Sequence, residues 1–423
     1  MRHPQRRHVL GALGALGVGA LGTSGAAAHA APDGPAAPAT PAAPAEPAAA
    51  RPRAPRPVGP VNQEVAAAHA ITYKALPQEV VGVDAEELMA VRSEADVAAV
   101  RAALVSEVWK SADGRLPSAL PEVERGVAAP EIPEFTGVDR IDRLTVRLPY
   151  GLSTTVFLLL PDRWPHRAGH RRFAFYHNGH GEEPSTMART AQALLDAGYG
   201  VLLFAMPLYH WNPRELEDPQ DPAKKIVVGS HNDLVPWETP GFSTLRFFLE
   251  PLVVAMNHVR KVHEPTSVQM VGLSGGGWAT TVYPALDPRV TRSYPTAGSL
   301  PFFLRSAPPK PSPTTGDWEQ RKDRHPAFYA IADFMDFYAL ASVGKDRRQI
   351  QILNRFDACC FNGVGHRSYA PVARHRVEVI TGGEVGRGSW ELLEDATHGD
   401  HTVSPYALSV ILWDLDVNCA GLP

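Results

Sequence analysis

The residues with the clearest chemical potential lie at positions 272–276, where the sequence reads Gly-Leu-Ser-Gly-Gly. Residues 267–271 have the composition of a short buried strand, and residues 277–282 can begin a helix. Strand, sharp turn and helix form the context in which a Gly-x-Ser-x-Gly motif presents a nucleophile. The glycines leave room for a tight turn, so Ser274 is predicted to have a strained backbone and an accessible hydroxyl. The alternative is a glycine-rich turn without chemistry.

A serine hydroxyl is a weak nucleophile at neutral pH and needs a general base, which itself needs an orienting carboxylate. Asp357 lies just beyond a strand predicted at 349–353 and is the favoured carboxylate. Three other aspartates compete for that role: Asp333, Asp336 and Asp346. His398 and His401 precede the last predicted helix, and either can be the base. We favour His401 because it leaves a compact approach to that helix, which begins at Ser404-Pro405.

The elements that must position these residues follow a simple order. Two strands predicted at 143–148 and 154–160 form a hairpin, after which strands and helices alternate. This order indicates an α/β fold with a mostly parallel central sheet and helices on both faces. The predicted helices are 185–196 and 244–262, and the further strands are 173–176, 201–205, 290–293, 349–353 and 390–393. Long aromatic-rich segments at 207–241 and 301–346 are predicted to be cap-like insertions at the pocket rim.

The amino-terminal part has three compositions. Residues 1–30 contain Arg6-Arg7, a short apolar stretch and an Ala-x-Ala site, and resemble a twin-arginine signal peptide. This predicts export to the cell-envelope exterior or beyond. Residues 31–60 are an Ala/Pro-rich linker, and residues 61–130 are predicted to be mainly helical, including 85–91 and 96–105. Residues 131–423 then form the catalytic domain.

Composition excludes some partners. The 423 residues carry a net charge of -4 and no stripe of lysine and arginine, so nucleic acid is not expected as a partner. No apolar run after the signal reaches the roughly 18–20 residues needed to span a bilayer. Of three cysteines, Cys419 can pair with either Cys359 or Cys360, which leaves one thiol without a partner in the chain. The oligomeric state is left open.

Over residues 141–416 the chain resembles the α/β-hydrolase superfamily, near secreted esterases of the dienelactone hydrolase and acetylxylan esterase kinds. The resemblance rests on the 272–276 motif, the His-Asn-Gly-His-Gly loop at 177–181, and the chain order serine, aspartate, histidine. It implies a serine hydrolase for carboxylic esters that forms an acyl-enzyme and requires no metal or organic cofactor. The implied substrate is a small-molecule or polymer-borne ester.

The resemblance also implies residue roles. Ser274 is the nucleophile, Asp357 the acid, and a late histidine the base. The oxyanion hole combines the backbone N–H of Gly275 with one from the Gly179-His180 segment. This loop departs from the His-Gly-Gly-Gly pattern, so the choice between Gly179 and His180 is left open.

Three other functions are considered. A serine peptidase would use the same machinery, and a non-catalytic binding protein would use the same scaffold. A metal-dependent hydrolase would use two His-x-x-His pairs with nearby aspartates: His177, His180, His398, His401, Asp395 and Asp400. Because the oxyanion loop already explains the first pair, no metal is expected.

Overall fold

The computed structural model describes residues 60–69, 80, 82–162, 164–165, 171–305 and 316–417. All of them belong to the unit formed by Arg56–Pro423. The predicted signal peptide at 1–30, the predicted linker except its last residue, and Cys419 lie outside the described residues.

The described residues contain eleven strands: β1 (Glu122–Glu124), β2 (Val138–Arg147), β3 (Ser153–Pro161), β4 (Arg172–His177), β5 (Gly200–Phe204), β6 (Glu215–Glu217), β7 (Lys225–Val227), β8 (Ser267–Leu273), β9 (Arg292–Thr296), β10 (Arg348–Asn354) and β11 (Ser389–Asp395). Nine of them form one sheet in the order β1-β2-β3-β5-β4-β8-β9-β10-β11, and β6 pairs with β7 separately. The pairs β1–β2, β2–β3 and β3–β5 are antiparallel. All pairs from β5 to β11 are parallel.

The strand burial follows from this topology. The parallel strands β5 and β10 are buried at every residue, as expected where helices cover both faces of a sheet. Along β4, Phe173 and Phe175 join one apolar core, whereas Ala174 and Tyr176 join the core on the opposite face. Successive side chains of a strand point to opposite faces, so the near-continuous apolar sequence of β4 serves both cores.

Helices cover both faces. Those with described bounds are α1 (Gln63–His69), α2 (Glu94–Trp109), α3 (Pro184–Asp196), α4 (Leu245–Val262), α5 (Gly275–Leu286), α6 (Phe302–Arg305), α7 (Pro326–Ile331), α8 (Phe334–Ser342), α9 (Ala370–Thr381) and α10 (Pro405–Val417). Apolar residues of α3 and α10 contribute to one core, and those of α2, α4, α5, α8 and α9 to the other. The predicted helices 185–196 and 244–262 are confirmed within one residue. The strand predicted at 290–293 lies two residues later, as β9.

The amino-terminal segment differs in part from its prediction. The helix expected at 96–105 is present within α2, but residues 85–88 form a turn and residues 89–91 have no regular secondary structure. Met89 and Val91 are buried there, and the Val91 N–H donates to Asp336 Oδ1 at 2.9 Å. This contact with a distant helix replaces local helical hydrogen bonds. The segment also contributes β1, which adds the first strand to the sheet and was missed by the helical interpretation.

The cysteines also differ from the prediction. Cys359 and Cys360 form a disulfide with each other, so neither is available to Cys419. Adjacent residues hold their sulfurs within bonding reach without any need for a distant partner. In the part of the chain that is described, no helix has both the length and the apolar character needed to cross a membrane.

Candidate active site

Ser274 occupies the turn between β8 and α5. Its backbone has φ 59° and ψ -122°, a conformation that a residue with a side chain rarely adopts. The strand–turn–helix context predicted for residues 272–276 is therefore confirmed. A Cβ on Gly272 would lie 2.3 Å from the carbonyl oxygen of Gly276, and one on Gly276 would lie 1.9 Å from that of His177. Only glycine fits at these two positions, because the turn leaves no space between strand and helix.

The loop after β4 packs directly against the serine. A Cβ on Gly179 would lie 2.7 Å from Ser274 Cβ, so a glycine is needed for this close approach. The N–H of Gly179 donates to Glu182 Oε2 at 3.2 Å. The N–H of His180 makes no hydrogen bond to another described residue. Gly275 is the first residue of α5, so its N–H has no acceptor within the helix. Of the three N–H groups considered for an oxyanion hole, that of Gly179 is therefore hydrogen-bonded within the loop, whereas those of Gly275 and His180 have no such partner.

Three side chains that sequence reasoning missed hold this loop. His210 donates from Nε2 to the Gly179 carbonyl at 3.0 Å. Glu182 is buried and accepts a hydrogen bond from the Tyr176 hydroxyl. Burial raises the pKa of Glu182 to about 8. Glu182 lies near Gly179 in sequence, so its contact with this loop could have been considered. Nothing in the sequence places His210 beside Gly179.

His401 and Asp357 form a hydrogen-bonded pair beyond the ends of β11 and β10. His401 Nδ1 lies 2.8 Å from Asp357 Oδ2, and the other oxygen of this buried carboxylate accepts the N–H groups of Cys359 and Cys360 at 2.7 and 2.8 Å. An ionised carboxylate only accepts, so the proton of the neutral ring is on Nδ1. His401 Nε2 is buried and has no hydrogen-bond partner. A serine nucleophile would require an unprotonated ring nitrogen of this kind as its base.

His398 belongs to a different network. Its Nδ1 accepts the N–H of Asp400 at 3.1 Å, and its Nε2 lies 3.4 Å from Asp395 Oδ2. Asp395 also accepts hydrogen bonds from Thr397 and Ser404 at the start of α10. Burial alone would raise the pKa of Asp395, but these hydrogen bonds lower it below its usual value. His398 therefore contacts the loop that carries His401, and not Asp357.

The competing aspartates have structural contacts. Asp333 caps α8 through the N–H of Met335, and Asp336 accepts the N–H of Val91. Asp346 is an exposed turn residue with φ 56°. Asp357 alone among the four candidates contacts one of the two late histidines.

The Ser274 hydroxyl and the two late histidines are not in hydrogen-bond contact. Among the described residues, Ser274 Oγ makes no hydrogen bond to His401 or His398. Such bonds are often long without substrate and tighten when the reacting complex forms. Because β8 and β10 are separated only by β9 in a parallel sheet, Ser274 and Asp357 follow strands that end at the same edge.

The six predicted metal ligands do not form one cluster among the described residues, although His398 lies beside Asp395. His177 is buried, its Nδ1 contacts the Asn178 carbonyl at 2.9 Å, and its ring stacks on Phe204. Burial lowers the pKa of His177 to about 4, so the ring is neutral. A different group does come together: donor atoms of His180, His231 and Glu319 are all within 4.8 Å of one another. We call these three residues the rim cluster.

A second group with close donor atoms contains Cys359, Cys360 and His401. The two sulfurs form the disulfide, so they are not the thiolates that bind metals. The rim cluster is therefore the stronger candidate for a cation among the described residues.

Solved structures match most of the chain. An acetyl xylan esterase from Paenibacillus sp. R4 is 15% identical with a TM-score of 0.50, and the match covers 81% of this chain and 99% of that one. A CE15 glucuronoyl esterase from Teredinibacter turnerae is 15% identical with a TM-score of 0.51, covering 82% and 91%. The sequence matches no protein-family model and no curated protein. The likeness establishes the fold: the chain has the α/β-hydrolase fold, as predicted.

Proposed function

We propose that this protein is an exported serine hydrolase that cleaves carboxylic esters, with Ser274 as nucleophile, His401 as general base and Asp357 as the orienting acid. The observation that carries the proposal is the strained turn at Ser274, combined with a His401–Asp357 pair at the same edge of the sheet. The twin-arginine segment of the sequence supports export.

The reaction follows from these atoms. His401 Nε2 takes the proton of Ser274 Oγ as that oxygen attacks the ester carbonyl, and Asp357 stabilises the imidazolium that forms. The N–H groups of Gly275 and His180 stabilise the negative oxygen of the tetrahedral intermediate. Each such donor is worth about 10²–10³ in rate. His401 then protonates the departing alcohol and activates the water that releases the acyl group from Ser274.

The substrate class is proposed from the structural neighbours. Both are named as esterases, one for acetyl xylan and one for glucuronoyl esters. We propose that the substrate is an ester carried by a carbohydrate. A peptidase would require the same machinery, and no contact in the site favours an amide.

The test begins with the nucleophile. The mature protein is labelled with a fluorophosphonate probe and mapped by peptide mass spectrometry, and the expected adduct is on Ser274. Hydrolysis of p-nitrophenyl acetate and of acetylated xylan is then compared with cleavage of peptide amides. Ser274→Ala should lower ester kcat/KM by about 10⁴- to 10⁶-fold.

Ser409→Ala is the matched control, because Ser409 is an exposed serine of α10 that hydrogen-bonds to Tyr406. It should retain full activity. Ester turnover by folded Ser274→Ala protein would disprove the nucleophile. Faster cleavage of amides than of esters would identify a peptidase, and a folded wild-type protein without adduct or turnover would favour a binding function.

A further inference from the structure

The rim cluster joins three segments that are far apart in sequence. His180 follows β4. His231 begins the 3-10 turn His231–Trp237 in the first predicted insertion, residues 207–241, and Glu319 lies in the turn Trp318–Gln320 of the second, residues 301–346. His180 Nε2 lies 2.9 Å from His231 Nδ1. Glu319 Oε2 lies 3.5 Å from His231 Nδ1 and 3.9 Å from His180 Nε2. Two ring nitrogens and one carboxylate oxygen therefore lie within 3.9 Å of one another.

The acceptor on the far side of each ring indicates where the proton of that ring lies. His231 Nε2 is 2.6 Å from the Pro207 carbonyl, which can only accept, so Nε2 carries the proton and Nδ1 has a free lone pair. His180 Nδ1 is 3.3 Å from Asp317 Oδ2, which favours the proton on Nδ1 and a lone pair on Nε2. Histidines that bind metals in proteins show this arrangement, in which the other ring nitrogen donates to a carbonyl or a carboxylate.

Glu319 is a buried carboxylate with no hydrogen-bond donor on one of its two oxygens. Its side chain is 0% exposed, and its Oε2 has no hydrogen-bond partner. The other oxygen accepts only from Gln320 Nε2, at 3.3 Å. A proton between the two histidine nitrogens would join the rings and still leave Oε2 without a donor. A cation bound at Oε2 would stabilise the ionised form of this buried carboxylate.

We propose that His180, His231 and Glu319 bind one divalent transition-metal ion of the zinc class. Two imidazoles and one carboxylate are a common donor set for Zn²⁺, with bonds of about 2.0–2.2 Å. Tetrahedral bonds of that length separate neighbouring donors by about 3.4 Å. The three observed separations of 2.9, 3.5 and 3.9 Å differ from this by about half an ångström or less. Small side-chain rotations therefore complete the site.

The ion connects both insertions to the loop that packs on Ser274. A Cβ on Gly275 would lie 2.7 Å from His180 Nδ1, so the His180 ring contacts the first residue of α5. A metal on His180 therefore holds this loop in one position, and anchors the first and second insertions through His231 and Glu319. This role is structural and goes beyond ester cleavage, which uses Ser274 and His401.

The test measures metal binding directly. The full chain without an affinity tag is stripped with a chelator, desalted and titrated with Zn²⁺ and, separately, with Co²⁺. We expect one ion per chain by elemental analysis, a Co²⁺ absorption spectrum of nitrogen and oxygen ligands, and a Tm that rises with Zn²⁺ concentration. His231→Gln and Glu319→Gln should each weaken binding by more than about 100-fold. Asp317→Asn, which changes only the partner of His180, should weaken it by about 10- to 100-fold.

Two controls separate this proposal from the others. His366→Gln replaces another buried histidine that pairs with a glutamate, Glu394, and should keep the metal stoichiometry. Ser274→Ala should bind Zn²⁺ like the wild type, so the site is testable even if the protein is not an esterase. A folded wild-type chain that binds no ion and shows no Zn²⁺-dependent Tm would overturn the proposal. Equal affinity in wild type, His231→Gln and Glu319→Gln would also overturn it.

Discussion

Asp357 and Glu319 are each buried beside a histidine, but their carboxylate oxygens have different hydrogen-bond partners. Asp357 receives two backbone N–H groups on one oxygen and His401 Nδ1 on the other. Glu319, in the rim cluster, has one oxygen without a donor and faces the lone pairs of two histidines. Both oxygens of the first carboxylate have donors in the chain, whereas the second has an oxygen at which we propose that a cation binds.

The comparison shows that residue type alone does not determine the role of a histidine. The position of its proton does, and that position is determined by the partner of the other ring nitrogen. Asp357 holds the proton of His401 on Nδ1, and one unpaired nitrogen is what a base needs. Beside Glu319, the contacts of His231 Nε2 and His180 Nδ1 leave lone pairs on His231 Nδ1 and His180 Nε2. Two such nitrogens close to a carboxylate are what a metal ion needs.

The largest effect is expected from His401→Gln, which removes the basic nitrogen on the Asp357 side. Ester kcat/KM should fall by about 10⁴- to 10⁶-fold, because Ser274 loses its base. His398→Gln is the matched variant and should lower kcat/KM by less than about tenfold, since His398 contacts Asp395 and not Asp357. Steady-state kinetics on one ester measures both. A larger loss in His398→Gln would assign the base to His398.

A smaller effect is expected from Gly179→Ala, on the loop that carries His180 of the rim cluster. The added Cβ would lie 2.7 Å from Ser274 Cβ, so the loop must move and displace an oxyanion donor. We expect kcat/KM to fall by about 10²- to 10³-fold, the value of one such donor. Gly181→Ala is the control, because a Cβ there meets nothing within 4 Å. Equal kinetics in the two variants would show that the close approach of Gly179 has no catalytic importance.

The smallest effect concerns Glu182, the buried carboxylate behind the same loop. Its pKa is about 8 in the folded chain against an ordinary value of 4.5. Between these two pKa values the folded state keeps the proton on Glu182 and the unfolded state has lost it. The stability that this group contributes is therefore fully present below about pH 4.5 and is lost as the pH rises through about 8. Between pH 5 and 7 this group should lower the free energy of unfolding by about 2 kcal/mol.

Urea unfolding of wild type and Glu182→Gln at pH 5 and pH 7 measures this contribution. The variant should show a smaller pH dependence, because glutamine does not titrate. Glu183→Gln, at the exposed neighbouring glutamate, should keep the dependence of the wild type. If Glu182→Gln and wild type respond equally to pH, Glu182 is not the group that titrates.

Part of the fold and of the candidate site could be predicted because the signals are local. The glycines around Ser274 are required by a turn whose geometry lies within a few residues, and the strand–turn–helix context followed from them. Alternating strands and helices predicted a parallel sheet, which places Asp357 and Ser274 at one edge. The same local reasoning failed at 85–91, because Asp336 supplies a hydrogen bond from a distant helix.

The sequence by itself therefore determined the parallel part of the sheet, the turn at Ser274 and the short set of residues that can act with it. Only the tertiary structure decided which members of that set meet: His401 rather than His398 contacts Asp357, and the Gly179 N–H is taken by Glu182. It also brought His180, His231 and Glu319 together from segments up to 139 residues apart. The physical reason is range: turn geometry and strand periodicity act between neighbours in sequence, whereas hydrogen bonds and metal ligation act between neighbours in space.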